Sequence, residues 1–335
     1  MYPTSTIFSF LSVLLFGSTT NFNRVFPSES CRFPAIFNFG ASNSDTGGYA
    51  AAFIQLKSPN GDTFFGMPAG RFCDGRLIVD FTPESLDLPF LSSYLNSLAI
   101  NFSHGANFAT ASSTIRLPTA DVVPYGHARG IYASLLPREE TFSKALYTFD
   151  IGQNDLTQSL FFNMTILQIL PTIPDIVNHF SNIIKILTSF PSAKKDSVGC
   201  AKPYNRLAQR FNAELKNALA RLRIEFPLAT IVYVDLYSAL YSLYTHPTKN
   251  GFEHPLVACC GYGGKYNYSE EAICGGKISV NGKSITVESC KDPSVRVSWD
   301  GVHFTEVANK FAFDLVSTGD FLDPPIPLKL ACHPR

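Results

Sequence analysis

This chain carries little charge and no surplus of either sign. Its 335 residues hold 27 Lys and Arg against 27 Asp and Glu, and charged side chains make up 16% of the total. Without a net field nothing draws it to a polyanion, and no run of Lys or Arg interleaved with aromatics is present. Nucleic acid is therefore excluded as a partner. A membrane-spanning helix needs about 20 apolar residues; the N-terminal apolar stretch, Ile7–Phe16, is too short, so no integral membrane association is expected. Around Cys259, Cys260 and Cys274 the only histidine is His254, with no Cys-x-x-Cys or His-x-x-x-His spacing. No metal site and no cofactor is implied. Neither an internal repeat nor a linker rich in Gly, Pro or Ser divides the chain, so residues 33–325 read as one domain.

What is present leans towards export. Ile7–Phe16 followed by Gly17, Ser18 and Thr19 has the length of a signal-peptide core, and residues 1–25 are assigned to it. The basic flank is missing, since Arg24 is the first positive side chain, so a disordered or packed N-terminus is the alternative. Eight cysteines permit up to four disulfides. Asn101, Asn163 and Asn267 begin Asn-x-Ser/Thr acceptors for glycosylation. No retention signal ends the chain. The expected location is extracellular, in the apoplast or cell wall.

At 45% hydrophobic content the chain can bury a large core. Apolar runs at Ala35–Phe39, Ala145–Ile151 and Thr230–Leu236 predict strands. Leu207, Phe211, Leu215, Leu219 and Leu222 recur at steps of four and three, predicting a helix over Tyr204–Phe226. A less regular stripe predicts another over Thr305–Val316, and a third is expected around Ile173–Leu187. Strands alternating with helices indicate a parallel sheet covered on both faces, whose sites lie at the carboxyl ends of the strands.

Four short motifs carry chemistry: Phe39-Gly40-Ala41-Ser42-Asn43-Ser44-Asp45-Thr46-Gly47, His104-Gly105-Ala106-Asn107-Phe108, Gly152-Gln153-Asn154-Asp155 and Asp300-Gly301-Val302-His303. A serine hydroxyl is a weak nucleophile until a base takes its proton. Asp300 three residues before His303 can hold Nδ1–H and leave Nε2 for that proton. Taken singly, each motif has an ordinary structural reading. Asp-x-x-His is more often a capping pair, Ser42 a turn residue, Gly105 a bulge and Asn154 the head of an Asx-turn. Asp155 reads as a turn or capping group, and Trp299 and Val302 are placed to shield the Asp–His pair.

The four blocks together resemble the SGNH subgroup of GDSL esterases and lipases, particularly the large plant family. The likeness runs from about Phe33 to Phe321 and includes Pro68–Arg76, Cys200–Asn205 and Cys259–Tyr268. It implies an SGNH-hydrolase-like (flavodoxin-like) three-layer α/β/α fold with a parallel sheet. It further implies hydrolysis of carboxylic esters by a monomer, on a small-molecule or cell-wall ester substrate. By resemblance Ser42 is the nucleophile, His303 the base and Asp300 its orienting carboxylate. The oxyanion donors are then the N–H groups of Ser42 and Gly105 and the side-chain amide of Asn154.

Three departures from that family stand out. Ala41 replaces the aspartate of Gly-Asp-Ser, so a loop-bracing acceptor is lost. Ile115–Leu136 is short, without a helical stripe, and reads as a loop. Pro191–Gly199 offers no apolar run where the family has a buried strand, so a sheet lacking one strand is expected. These departures motivate the alternative, a catalytically impaired homologue acting as a binding protein.

Overall fold

The structure, a computed structural model, describes residues 14–17, 30–96, 100–115, 139–142, 144–150, 152–156, 169–179, 196–200, 202–269 and 271–332. Six strands form the main sheet: β1 (Leu14–Gly17), β2 (Ile36–Gly40), β3 (Gly105–Asn107), β4 (Leu146–Asp150), β5 (Ala229–Val234) and β8 (Leu322–Asp323). A separate hairpin pairs β6 (Lys277–Val280) with β7 (Lys283–Thr286). The helices used below are α1 (Gly48–Ala52), α2 (Ile78–Ser85), α3 (Ile173–His179), α4 (Lys202–Glu225), α5 (Leu236–Thr245) and α6 (Glu306–Ser317).

The spatial order is β3-β2-β4-β1-β5-β8. β2 runs parallel to both neighbours, with Ile36 opposite Gly105 and Leu146, and Gly40 opposite Asp150. The sheet is mixed rather than wholly parallel, because β1 and β8 run against the rest. The expected gap is occupied. β1, from the segment assigned to a signal peptide, lies antiparallel between β4 and β5, with Leu14 opposite both Thr148 and Val232. Two inner strand edges carry N–H and C=O groups that need partners, and this segment supplies them. Residues 196–200 form a turn, as the absence of a strand pattern there predicts. Residues 191–195, most of the 115–136 loop and residues 180–187 lie outside the described residues.

The helices form the outer layers, α2 packing on α6 and α6 on α5, while α4 packs on β5 and α3. Leu207, Phe211 and Leu215 on α4 are wholly buried, each contributing about 2 kcal/mol of transfer free energy. Asp235 caps α5 by accepting the Ser238 N–H at 3.0 Å. Three disulfides form: Cys31–Cys332 joins the two ends of the domain, while Cys259–Cys290 and Cys260–Cys274 staple one lobe. The fourth pair does not form, and Cys73 is buried in the core. No group of metal-ligating side chains and no helix long and apolar enough to cross a membrane occurs among the described residues.

Candidate active site

Ser42 follows β2 directly. It opens a short 3-10 turn, Ser42–Ser44, at the carboxyl end of β2 and is half-buried. A buried polar ladder across three strands holds this turn. Thr148 Oγ1 donates to Asn38 Oδ1 at 2.7 Å, and Asn38 Nδ2 donates to Asn107 Oδ1 at 2.7 Å. Asn107 Nδ2 then donates to the Ser44 carbonyl at 2.6 Å and to Thr46 Oγ1 at 2.8 Å. Asp45 takes the N–H groups of Gly47, Gly48 and Tyr49 and, from the next strand's loop, that of Ala111. Burial raises its carboxyl above the usual carboxylate range, and those four N–H bonds offset only part of the rise. Ala41 is wholly buried. The turn is braced by Asn107 and Asp45.

Asp300 and His303 are brought together. His303 Nδ1 donates to Asp300 Oδ2 at 2.6 Å, and Asp300 Oδ1 accepts the N–H of Val302 at 2.9 Å and of His303 at 2.8 Å. One carboxylate thus closes the turn and orients the ring. Burial alone would raise the Asp300 carboxyl, but the adjacent imidazole and these hydrogen bonds prevail and hold it below its usual range. Gly301 makes the turn possible: its φ is +92°, and a Cβ there would meet the Tyr268 ring at 2.3 Å. Trp299 is wholly buried and donates to Asn60 Oδ1 at 3.0 Å, anchoring the loop from below. Val302, expected to shield the pair, is 43% exposed, and its N–H is taken by Asp300 Oδ1. No hydrogen bond joins Ser42 to His303 among the described residues; such contacts commonly tighten only around a seated substrate.

The residues expected to donate to an oxyanion do not all lie together. Asn154 sits after β4 at the same sheet end, and its Nδ2 donates to the Ser113 carbonyl at 2.8 Å, leaving its second amide hydrogen uncommitted. Gly105 lies apart from Ser42. It pairs with Ile36, at the start of β2, four residues back from Gly40, about 13 Å at ~3.3 Å per residue. Its N–H is also spent on the Phe102 carbonyl at 2.9 Å. Its need for glycine is local, since φ is +104° and a Cβ would strike the Ile36 carbonyl.

The loop that does reach Ser42's end of the sheet follows β3. Thr110 N–H donates to the Gly40 carbonyl at 3.2 Å, and Ala111 N–H donates to Asp45 Oδ2 at 2.8 Å. Between Asp45 and Asn154 stands Ser112, in a left-handed conformation at φ +68°. Its N–H makes no hydrogen bond among the described residues. Reading the carboxyl-end rule along β3 would have pointed past Asn107 rather than before it. The left-handed serine itself leaves no sequence signal.

Asp155 braces the same loop by accepting the Ile115 N–H at 2.7 Å. Of the glycosylation acceptors, Asn101 is exposed and its Oδ1 accepts the Ser103 N–H at 2.9 Å, while Asn267 donates its side-chain amide to the Ala258 carbonyl at 3.0 Å. Asn163 lies outside the described residues.

Comparisons with known proteins show the family. Residues 36–316 match the GDSL-like lipase/acylhydrolase family. A protein named esterase from Hevea brasiliensis is 51% identical over 92% of this chain and 91% of its own length. GDSL esterase/lipase ENOD8 of Medicago truncatula is 49% identical over 92% of each chain. A protein named alpha-L-fucosidase 3 from Arabidopsis thaliana is 46% identical over 87% of this chain and 92% of its own length.

Proposed function

The chain belongs to the GDSL-like lipase/acylhydrolase family, and from that premise we propose that it is a secreted serine ester hydrolase working through an acyl-enzyme on Ser42. The observation that carries the reading is the 2.6 Å bond from His303 Nδ1 to Asp300 Oδ2. It sets the tautomer in which Nε2 holds a lone pair. Ser42 Oγ attacks the ester carbonyl carbon and passes its proton to Nε2. The tetrahedral intermediate then collapses, and the leaving alkoxide takes that proton from the imidazolium. A water molecule repeats the sequence on the acyl-enzyme, releasing the acid and restoring Ser42.

The developing negative oxygen is held by the Ser42 N–H, the free amide hydrogen of Asn154 and the Ser112 N–H, which takes the place Gly105 cannot fill. A charge-free set of donors suits a neutral ester and leaves no anion preference. The substrate is a small-molecule or cell-wall ester, and the working unit is the monomer. Export and glycosylation at Asn101 follow from the N-terminal segment and the disulfides. Signal cleavage would also take β1 out of the sheet, which makes the start of the secreted chain part of the test.

The deciding experiment is intact mass of the purified secreted protein before and after a fluorophosphonate, with Ser42→Ala in parallel. One adduct, absent from the alanine variant, is the expected result. A folded protein with unlabelled Ser42 would overturn the reading. It would favour the second one, a binding protein, which the buried Ala41 and the unjoined Ser42 motivate.

A further inference from the structure

The segment Pro68–Arg76 does more than fill space between the two halves of the site. Arg71 is buried and clasps Asp80 through Nε at 2.8 Å and Nη2 at 2.6 Å, while Nη1 donates to the Ala69 carbonyl at 2.7 Å and the Thr46 carbonyl at 3.4 Å. Asp80 in turn takes the Leu77 N–H at 2.9 Å, at the start of α2. Two residues past Phe72, Asp74 Oδ1 accepts the Glu306 N–H at 2.8 Å, and Arg76 pairs with the Glu306 carboxylate at 2.6 Å. One clamp therefore ties the segment to the Ser42 loop, and the other ties it to the first turn of α6, three residues beyond His303.

Phe72 lies between those clamps. Its ring stands 5.0 Å from the His303 imidazole, centroid to centroid, at an interplanar angle of 31°. The Tyr49 ring of α1 also meets it edge-on, at 5.5 Å and 65°. Asp300 holds the imidazole at one nitrogen only, which leaves the ring free to pivot about that bond. A flat apolar face held rigidly against it removes that freedom, and a catalytic group held in a fixed pose keeps more of its rate than one that must be ordered at each turnover.

We propose that Phe72 is a positioning residue for His303: its ring, fixed by the Arg71–Asp80 and Asp74–Glu306 clamps, sets the plane in which Nε2 is presented to Ser42. The inference rests on the Ser42–His303 reading above. Phe72 makes no contact with the reacting atoms in this role.

The test uses the full chain and the variants Phe72→Ala, Phe72→Leu and Phe72→Tyr, with two readouts. The first is steady-state hydrolysis of p-nitrophenyl acetate. Phe72→Ala is expected to lower kcat about tenfold with KM within twofold, Phe72→Tyr to match the parent, and Phe72→Leu, which restores bulk without a flat face, to stay impaired. The second readout needs no turnover: the downfield proton resonance of the His303 Nδ1–H bound to Asp300, observed by NMR. It is expected to persist in Phe72→Tyr and to broaden or vanish in Phe72→Ala and Phe72→Leu. Should Phe72→Ala fail to fold, the leucine and tyrosine variants carry the comparison. An inactive parent with an unlabelled Ser42 would sink the esterase reading, and the resonance would still report on Phe72. Leucine and tyrosine variants that both keep the parent's kcat and resonance would overturn the positioning role.

Discussion

Asp300 faces His303 with both of its oxygens committed: Oδ2 to the imidazole Nδ1–H at 2.6 Å, Oδ1 to the His303 backbone N–H at 2.8 Å. The same side chain therefore closes the turn and holds the imidazole at Nδ1. In Asp300→Asn the amide can be held in the same turn but favours the wrong tautomer. The expected outcome is a loss in kcat on the order of 10³-fold or more with the fold kept, checked by kinetics and circular dichroism.

The same pair gives a pH signature. The Asp300 carboxyl is held below its ordinary 3.8, so the folded state binds that proton less readily than the unfolded chain. Its contribution to stability is full above about pH 4–5 and is lost as pH falls through the lowered folded value. The melting-temperature difference between the parent and Asp300→Asn is expected to shrink below pH 3.8. A constant difference from pH 7 to pH 3 would contradict this.

Ser112 stands at φ +68°, where an L side chain costs about 1 kcal/mol that glycine does not incur. Ser112→Gly keeps the N–H and relieves the strain. Stability in urea is expected to rise by roughly 0.5–1 kcal/mol, with fluorophosphonate labelling of Ser42 unchanged or faster.

Asn107 is wholly buried and serves Asn38, Ser44, Thr46 and Ala109 at once. Asn107→Ala leaves these groups short of partners, at about 1–3 kcal/mol for each one left unsatisfied. A loss of at least ~3 kcal/mol is expected in urea unfolding, together with loss of labelling at Ser42, because the nucleophile's turn is tied to this amide.

β1 supplies both inner edges of the sheet between β4 and β5. A chain starting at residue 26 exposes those edges. Faster amide exchange at 146–150 and 229–234, a lower melting temperature and a greater tendency to aggregate are the expected results. Unchanged protection of these two strands would show that the sheet closes without the N-terminal segment.

Several elements were legible in advance. The strand predicted at Ala35–Phe39 forms as Ile36–Gly40, and the helix predicted at Tyr204–Phe226 forms as Lys202–Glu225. Each is a local periodic pattern whose apolar face has only one place to go. Asp300 and His303 were legible for the same reason, since a three-residue spacing on one turn leaves little geometric freedom. That Gly105 pairs with Ile36 at the start of β2 was not legible, because a motif says which residues are near each other in the chain, not which end of a strand they occupy.

What the amino-acid order determined by itself was the strands at Ala35–Phe39, Ala145–Ile151 and Thr230–Leu236, the helices over Tyr204–Phe226 and Thr305–Val316, and the pairing of Asp300 with His303 on one turn. Tertiary structure alone decided that Leu14–Gly17 fills the sheet between β4 and β5, that the turn at Thr110 and Ala111 meets Gly40 and Asp45, and that Phe72 lies on His303. The division has one physical cause. Hydrophobic period and turn chemistry act over a few residues, whereas filling an edge or stacking a ring depends on which distant surfaces the whole core brings to within a few ångströms.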